Sequence, residues 1–219
     1  VADGWTVVAH VRRQGDAVPD GAVSVAANLE SAECADRIFP AAEALPPVRL
    51  LVNNAARFAR DDFGSFDTRE FDAHMAINVR APLLLIEQLA RRHSGGDSLI
   101  VNLLDAKLAA PNPDFLSYTV SKQALGGLTE LAARALAGKG IRVNGIAPAL
   151  MLPSTGQSEA NFAAMHRHNP LGRGIEPTDV IAALRYLIAA TGVTGEVLTI
   201  DGGQRFWSLE RDVQFLERR

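Results

Sequence analysis

Runs of aliphatic and β-branched residues recur at 6–11, 22–26, 48–52, 98–104, 141–146 and 197–200, without strict alternation of apolar and polar positions. Strands of that kind are covered on both faces. Between most of them, residues 31–45, 68–93, 117–137 and 178–190 carry apolar positions at helical spacing, several opening on Asp, Thr or Ser. Strand and helix therefore alternate, which predicts an α/β fold, a doubly wound parallel sheet, in one domain spanning 1–219. The irregular stretch 148–159, with Pro153, Ser154, Thr155 and Gly156, follows a strand end, where long loops of such sheets cover ligands.

Composition narrows the class. Apolar residues make up 47% of the 219 and charged residues 21%, the balance of a folded globular chain. A net charge of -3, spread along the sequence, offers no footprint for nucleic acid or an anionic membrane. Apolar stretches such as 81–86 fall far short of the roughly 20 residues that span a bilayer. The single cysteine, Cys34, forms no internal disulfide and has no metal-ligand neighbours, so it reads as a small buried side chain of a cytoplasmic protein.

Chemistry is carried by a few polar residues. Tyr118 and Lys122 stand four apart at the start of a predicted helix and so share one face. A free phenol titrates near pH 10, and an ammonium beside it favours the phenolate; Lys122 is expected to make Tyr118 a usable acid. The segment Leu51-Val-Asn-Asn-Ala-Ala56 ends a strand with two amides and two small residues, suited to close approach of a flat ligand. Asn78 is a polar residue within an otherwise apolar helical stretch.

These residues, with Arg142-Val143-Asn144 through Pro148 and Thr194-Gly195 through Asp201-Gly202-Gly203, resemble the short-chain dehydrogenase/reductase family over nearly the whole chain. The resemblance implies a Rossmann-type fold and a nicotinamide cofactor. It implies Tyr118 as proton donor, Lys122 on the nicotinamide ribose, and Asn78 ordering a water in the proton path. Cofactor contacts are expected from His10, Arg12 and Arg13, from Asn28 and Leu29, from Asn54, Ala55 and Ala56, and from Pro148, Ala149 and Leu150. His10-Val-Arg-Arg13 lacks the acidic residue that binds a free ribose 2′-hydroxyl, and its arginines suit a 2′-phosphate, so NADPH is expected.

Asp105, thirteen residues before Tyr118, stands where most family members have Ser. A carboxyl group beside a phenol in an enclosed site is expected to have a raised pKa and, when protonated, to donate to a ring nitrogen. With Phe58 similar to a pterin-stacking aromatic, this resembles the pteridine reductase and dihydromonapterin reductase branch. Substrate contacts are expected from Phe58, Asp105 and Tyr118, and from Met151 and Leu152 closing over the ring. The alternatives are a carbonyl reductase or alcohol dehydrogenase of the family, 3-oxoacyl reductase-like, and a silent nucleotide-binding regulator.

Two expectations concern the chain as a whole. Val1-Ala-Asp-Gly-Trp5 reads as a helix end turning into a strand, so a further strand and glycine-rich turn of roughly 20 to 30 residues are expected to precede it. A homo-oligomer, dimer or tetramer, is expected through residues 68–89 and 117–136, with Phe206 and Trp207 near a neighbour.

Overall fold

The structure, a computed structural model, describes residue 1 and residues 3–216. Of the opening turn, Ala2 lies outside the described residues, while Asp3 and Gly4 turn into the first strand. Among the described residues six strands form, β1 (Val8–Val11), β2 (Val23–Ala26), β3 (Leu50–Asn53), β4 (Ser98–Leu103), β5 (Ile141–Pro148) and β6 (Val197–Ile200). All pair in parallel, in two ladders: β1 with β2, and β3-β4-β5-β6 in that order. The helices are α1 (Cys34–Ile38), α2 (Thr68–Met75), α3 (Ala81–Arg92), α4 (Leu116–Leu136), α5 (Glu159–Met165) and α6 (Pro177–Ala189).

The period of two along β4 explains the layering. Ile100 packs with Leu85, Leu89, Ala132 and Ala133 of α3 and α4, together with Ala35 of α1. Its neighbours Leu99 and Val101 face the other way, toward Leu187 and the rest of α6. Helices cover both sides, as expected from runs without alternation. β5 is buried at all eight positions, and Gly145 is required there: a Cβ would stand 2.6 Å from Leu104 Cδ1 and 3.1 Å from Val197 Cγ2.

The elements depart from the sequence expectation in two places. The expected helix over 68–93 is interrupted by a π turn at Ala76–Arg80, where the Ala81 N–H bonds to Ala76 O. Pro82 has no N–H to offer the Asn78 carbonyl four residues earlier, which removes one α-helical bond at that point. The helix expected over 31–45 shortens to α1 followed by a 3-10 turn at Phe39–Ala42, opened by Pro40. Short α5, capped by the Ser158 side chain accepting from Asn161 N at 3.2 Å, was not anticipated. Among the described residues no helix is long and apolar enough to cross a membrane.

Candidate active site

The first turn of α4 is locked by a carboxylate from the loop after β3. Asp61, buried, accepts from Ser117 N at 2.9 Å and from the Ser117 hydroxyl, while its carbonyl accepts from Leu116 N. Phe115, just before α4, adopts the left-handed conformation at φ 56°, unusual for a residue with a Cβ. Its ring is stacked on Phe58 at 4.3 Å and on Phe215 at 5.8 Å, which holds it there.

So fixed, α4 presents two side chains to the carboxyl end of β4. The Tyr118 hydroxyl donates to Asp105 Oδ2 at 2.8 Å, and Lys122 Nζ donates to Leu103 O at 2.5 Å. Asp105 Oδ1 accepts from Lys107 N at 2.8 Å. Phe58 meets the Tyr118 ring edge to face at 4.7 Å. Tyr118, Lys122, Asp105 and Phe58 are thus brought together: the first two at a spacing of four, the others where the family resemblance implied them.

Their electrostatics revise one expectation. Burial, then the Asp105 carboxylate beside it, hold the Tyr118 phenol well above its ordinary pKa. Lys122 does not make it acidic here: the ammonium points at the Leu103 carbonyl and lies 5.8 Å from the ring centroid. Burial brings Lys122 itself down to about 8, against the favourable pull of Asp105. Asp105 is raised, chiefly by burial, against the bonds from Lys107 N and Tyr118 and the charge of Lys122. That is the direction anticipated for a carboxyl able to hold a proton.

The Asn78 side chain is held by protein partners. Its Oδ1 accepts from Arg57 N at 2.7 Å, and its Nδ2 donates to Arg57 O at 3.0 Å and to Ser121 Oγ at 2.8 Å. Both amide protons are committed to protein acceptors, so the side chain ties the Phe58 loop to α4. Arg57 also pairs with Glu70, and His74 Nε2 accepts from Ala59 N at 3.3 Å. The whole loop is thereby bound to α2.

Beside these groups lies a cavity of about 110 Å³, with Phe58, Asp105, Tyr118, Ala149 and Leu150 on one side. Ser154 lines it, whereas Leu152 is 64% exposed and neither it nor Met151 reaches the lining. The expected closure by Met151 and Leu152 is corrected: Leu209, Asp212 and Val213, from near the carboxyl terminus, form that wall. Lys107 lines it too. These residues carried no sequence signal beyond a short charged stretch, Glu210-Arg211-Asp212.

The residues expected at a dinucleotide follow strand ends. His10, Arg12 and Arg13 close β1, Asn28 and Leu29 follow β2, and Asn54, Ala55 and Ala56 follow β3. Pro148, Ala149 and Leu150 end β5. His10 Nε2 bonds to Ala27 O at 2.9 Å, while Arg12 and Arg13 are exposed and form none of the ion pairs found among the described residues. Asn28 Oδ1 accepts from Glu30 N at 3.0 Å. At the end of β3, Asn53 gives its Nδ2 to Asn102, and its Oδ1 is buried without a partner. Among the described residues no cluster of His, Cys, Asp or Glu is arranged to hold a metal ion.

Several known proteins are similar to this chain. A family model described as enoyl-(acyl carrier protein) reductase matches residues 6–205. Galactitol 2-dehydrogenase (L-tagatose-forming) of Cereibacter sphaeroides is 33% identical over 195 residues, 85% of this chain and 77% of that protein. An uncharacterized oxidoreductase of Bacillus subtilis is 30% identical over 70% of this chain, which spans 63% of that relative's length. Among solved structures, FolM alternative dihydrofolate reductase 1 from Brucella suis, in complex with NADP, superposes with a TM-score of 0.82 at 34% identity. That match covers 94% of this chain and 87% of the other.

Proposed function

The chain belongs to the short-chain dehydrogenase/reductase family, and from that premise we propose that it is an NADPH-dependent reductase acting on a C=N bond of a pteridine-type heterocycle. The observation that carries this reading is the hydrogen bond from Tyr118 to Asp105 at 2.8 Å, with Phe58 edge-on to the same phenol. A carbonyl substrate has no use for a carboxyl at that place, where a neutral hydroxyl suffices. A ring nitrogen does, because a basic nitrogen can exchange a full proton with a carboxyl of raised pKa, where a serine hydroxyl offers only a hydrogen bond. The Brucella suis relative, an alternative dihydrofolate reductase by name, points to the same class of substrate.

The residues present fit a nicotinamide dinucleotide. The ammonium of Lys122 spends one donor on Leu103 O, leaving donors for ribose hydroxyls. The partnerless Asn53 Oδ1 offers an acceptor at a strand end on the same side of the sheet. The side chains of Arg12 and Arg13, exposed and in none of the ion pairs found among the described residues, suit the 2′-phosphate that distinguishes NADPH from NADH. When bound, the cofactor supplies the hydride.

The chain's own groups handle the proton. Burial keeps Asp105 protonated to higher pH than an exposed aspartate, and Tyr118 bonds directly to it, so the two form one coupled donor at the cavity wall. A substrate nitrogen at the phenol takes the proton from Tyr118 Oη, and Asp105 returns one to the phenolate. Phe58, in the cavity lining, gives a flat face for the ring.

The test is NADPH consumption with dihydropterin and dihydrofolate substrates against a panel of ketones, sugars and polyols. The proposal expects turnover of the pteridines to exceed that of any ketone or polyol by at least about tenfold in kcat/KM. Preference for a polyol or ketone would instead place the activity with relatives such as the galactitol dehydrogenase.

A further inference from the structure

Leu209, Asp212 and Val213, close to the last described residues, line the same cavity as Tyr118 and are held in place by a built clamp. Arg211 donates to both oxygens of Asp114, with Nε at 2.8 Å from Oδ2 and Nη2 at 2.8 Å from Oδ1. Asp212 N donates to Asp114 Oδ2 at 2.8 Å as well. Asp114 is 6% exposed and stands beside Phe115, so the clamp is anchored where α4 begins. Phe215 completes it, stacking on Phe115 and lying 4.4 Å from the Arg60 guanidinium.

The clamp aims one carboxylate into the cavity. Asp212 Oδ2 is 3.4 Å from Lys107 Nζ, and both residues line the space next to Asp105 and Tyr118. Their side chains are only 18% and 9% exposed, so this pair is not a solvated surface contact. Lys107 is already held by Asp114 O. Leu209 and Val213 make the rest of this wall apolar. An ion pair set in an apolar wall, facing a proton-donating pair, presents an acceptor and a donor side by side to whatever enters.

We propose that Asp212 is a specificity-determining residue of this site: it accepts hydrogen bonds from the amino and ring N–H donors along one edge of a flat heterocycle, with Lys107 donating to the neighbouring oxo group. Arg211 and Asp114 are positioning residues that hold the carboxylate at that place. The inference deepens the pteridine reading and rests on it. The negative charge of Asp212 also pushes the titration of Asp105 and Tyr118 upward, which places it within electrostatic reach of the proton-donating pair.

Binding separates this from the reading it rests on. With NADP present, the affinity of an unreactive 2-amino-4-oxopteridine is compared with that of the 2,4-dioxo analogue, in which one donor becomes an acceptor and the ring shape is kept. The native protein should favour the amino compound by at least about tenfold. Asp212→Asn should bring the two within about threefold, and Asp212→Glu should keep most of the preference. Arg211→Ala, at an exposed side chain, should narrow the preference in the same direction without loss of the folded state by circular dichroism. An unchanged preference in Asp212→Asn overturns the role of Asp212 and leaves the pteridine reading standing. Failure of the native protein to bind either compound overturns both.

Discussion

The phenolic proton of Tyr118 is spent on Asp105, 2.8 Å away: Asp105 makes the phenol harder to ionise, while burial raises Asp105 against the bond it receives from Tyr118. Two groups whose proton affinities are raised together act as a shared reservoir. Replacing Tyr118 by Phe removes the delivering atom and keeps the ring that packs on Phe58. The expected result is a fall in kcat of roughly a hundredfold to ten-thousandfold with the NADPH dissociation constant nearly unchanged. Steady-state kinetics beside cofactor fluorescence titration reads both.

The raised pKa of Asp105 fixes the sign of a pH effect. The protonated carboxyl, present below that pKa, is lost as pH rises through it, so kcat/KM should fall along a basic limb. Asp105→Asn retains hydrogen bonding and cannot titrate. The limb should disappear in that variant, while the remaining rate is lower throughout. A limb that persists unmoved in Asp105→Asn assigns it to another group.

Installing the family's usual residue makes a sharper test of substrate class. Asp105→Ser leaves a hydroxyl at the end of β4 where a carbonyl oxygen would bond. Activity on pteridines should drop by about two orders of magnitude, and activity on simple ketones should hold or rise. Equal loss on both would mean that Asp105 serves the architecture of the site and does not select its substrate.

Asn78 is predicted to matter for stability as much as for rate. Truncation to Ala leaves Arg57 N, Arg57 O and Ser121 Oγ without their partner beneath the Phe58 loop. An unmet buried polar group costs about 1 to 3 kcal/mol, so urea unfolding should register a loss of about 2 to 4 kcal/mol. A change below about 0.5 kcal/mol would show that the loop is held without it.

What could be read from the sequence follows from how local each signal is. The strands and α4 were legible because continuous apolar runs and a helical period need only neighbouring residues. The pairing of Tyr118 with Lys122 needed only a spacing of four, and Asp105 was found by the place of a serine in a known pattern. The π turn at Ala76–Arg80 was masked by an unbroken apolar period, although Pro82 marked its position. The cavity wall at Leu209, Asp212 and Val213 was illegible for a different reason: Asp212 meets Lys107 across 105 positions of sequence. No periodic pattern announces a contact of that separation. The low acidity of Tyr118 was likewise hidden, since burial outweighs a cation whose lone-pair partner turned out to be a backbone carbonyl.

Cofactor choice should reside in two exposed side chains. Arg12 and Arg13 stand at the end of β1 with exposed side chains that enter none of the ion pairs found among the described residues. Replacing both by Ala removes the charge that meets a 2′-phosphate and nothing that a free 2′-hydroxyl needs. Preference for NADPH over NADH, measured as a ratio of kcat/KM, should fall by about ten- to a hundredfold, mainly through the KM for NADPH. A ratio that stays constant would move the recognition of the phosphate to other residues.

Lys122 carries a cost to the fold that its removal should reveal. Its pKa is lowered from 10.5 to about 8, chiefly by burial, which corresponds to on the order of 3 kcal/mol against the charged form. Lys122→Met keeps the stem and removes the charge, at the expense of one bond to Leu103 O. The variant should be inactive yet more stable at pH 7, by about 1 to 2 kcal/mol, raising Tm by about 3 to 6 °C. The sign with pH is fixed by the proton count: between pH 8 and 10.5 the unfolded chain still holds this proton and the folded chain has released it. Native stability from this group therefore rises with pH across that window, and the advantage of the variant should shrink there. Calorimetry at pH 7 and pH 10 decides it, and an advantage that grows with pH would mean that the lysine is not held against its charge by burial.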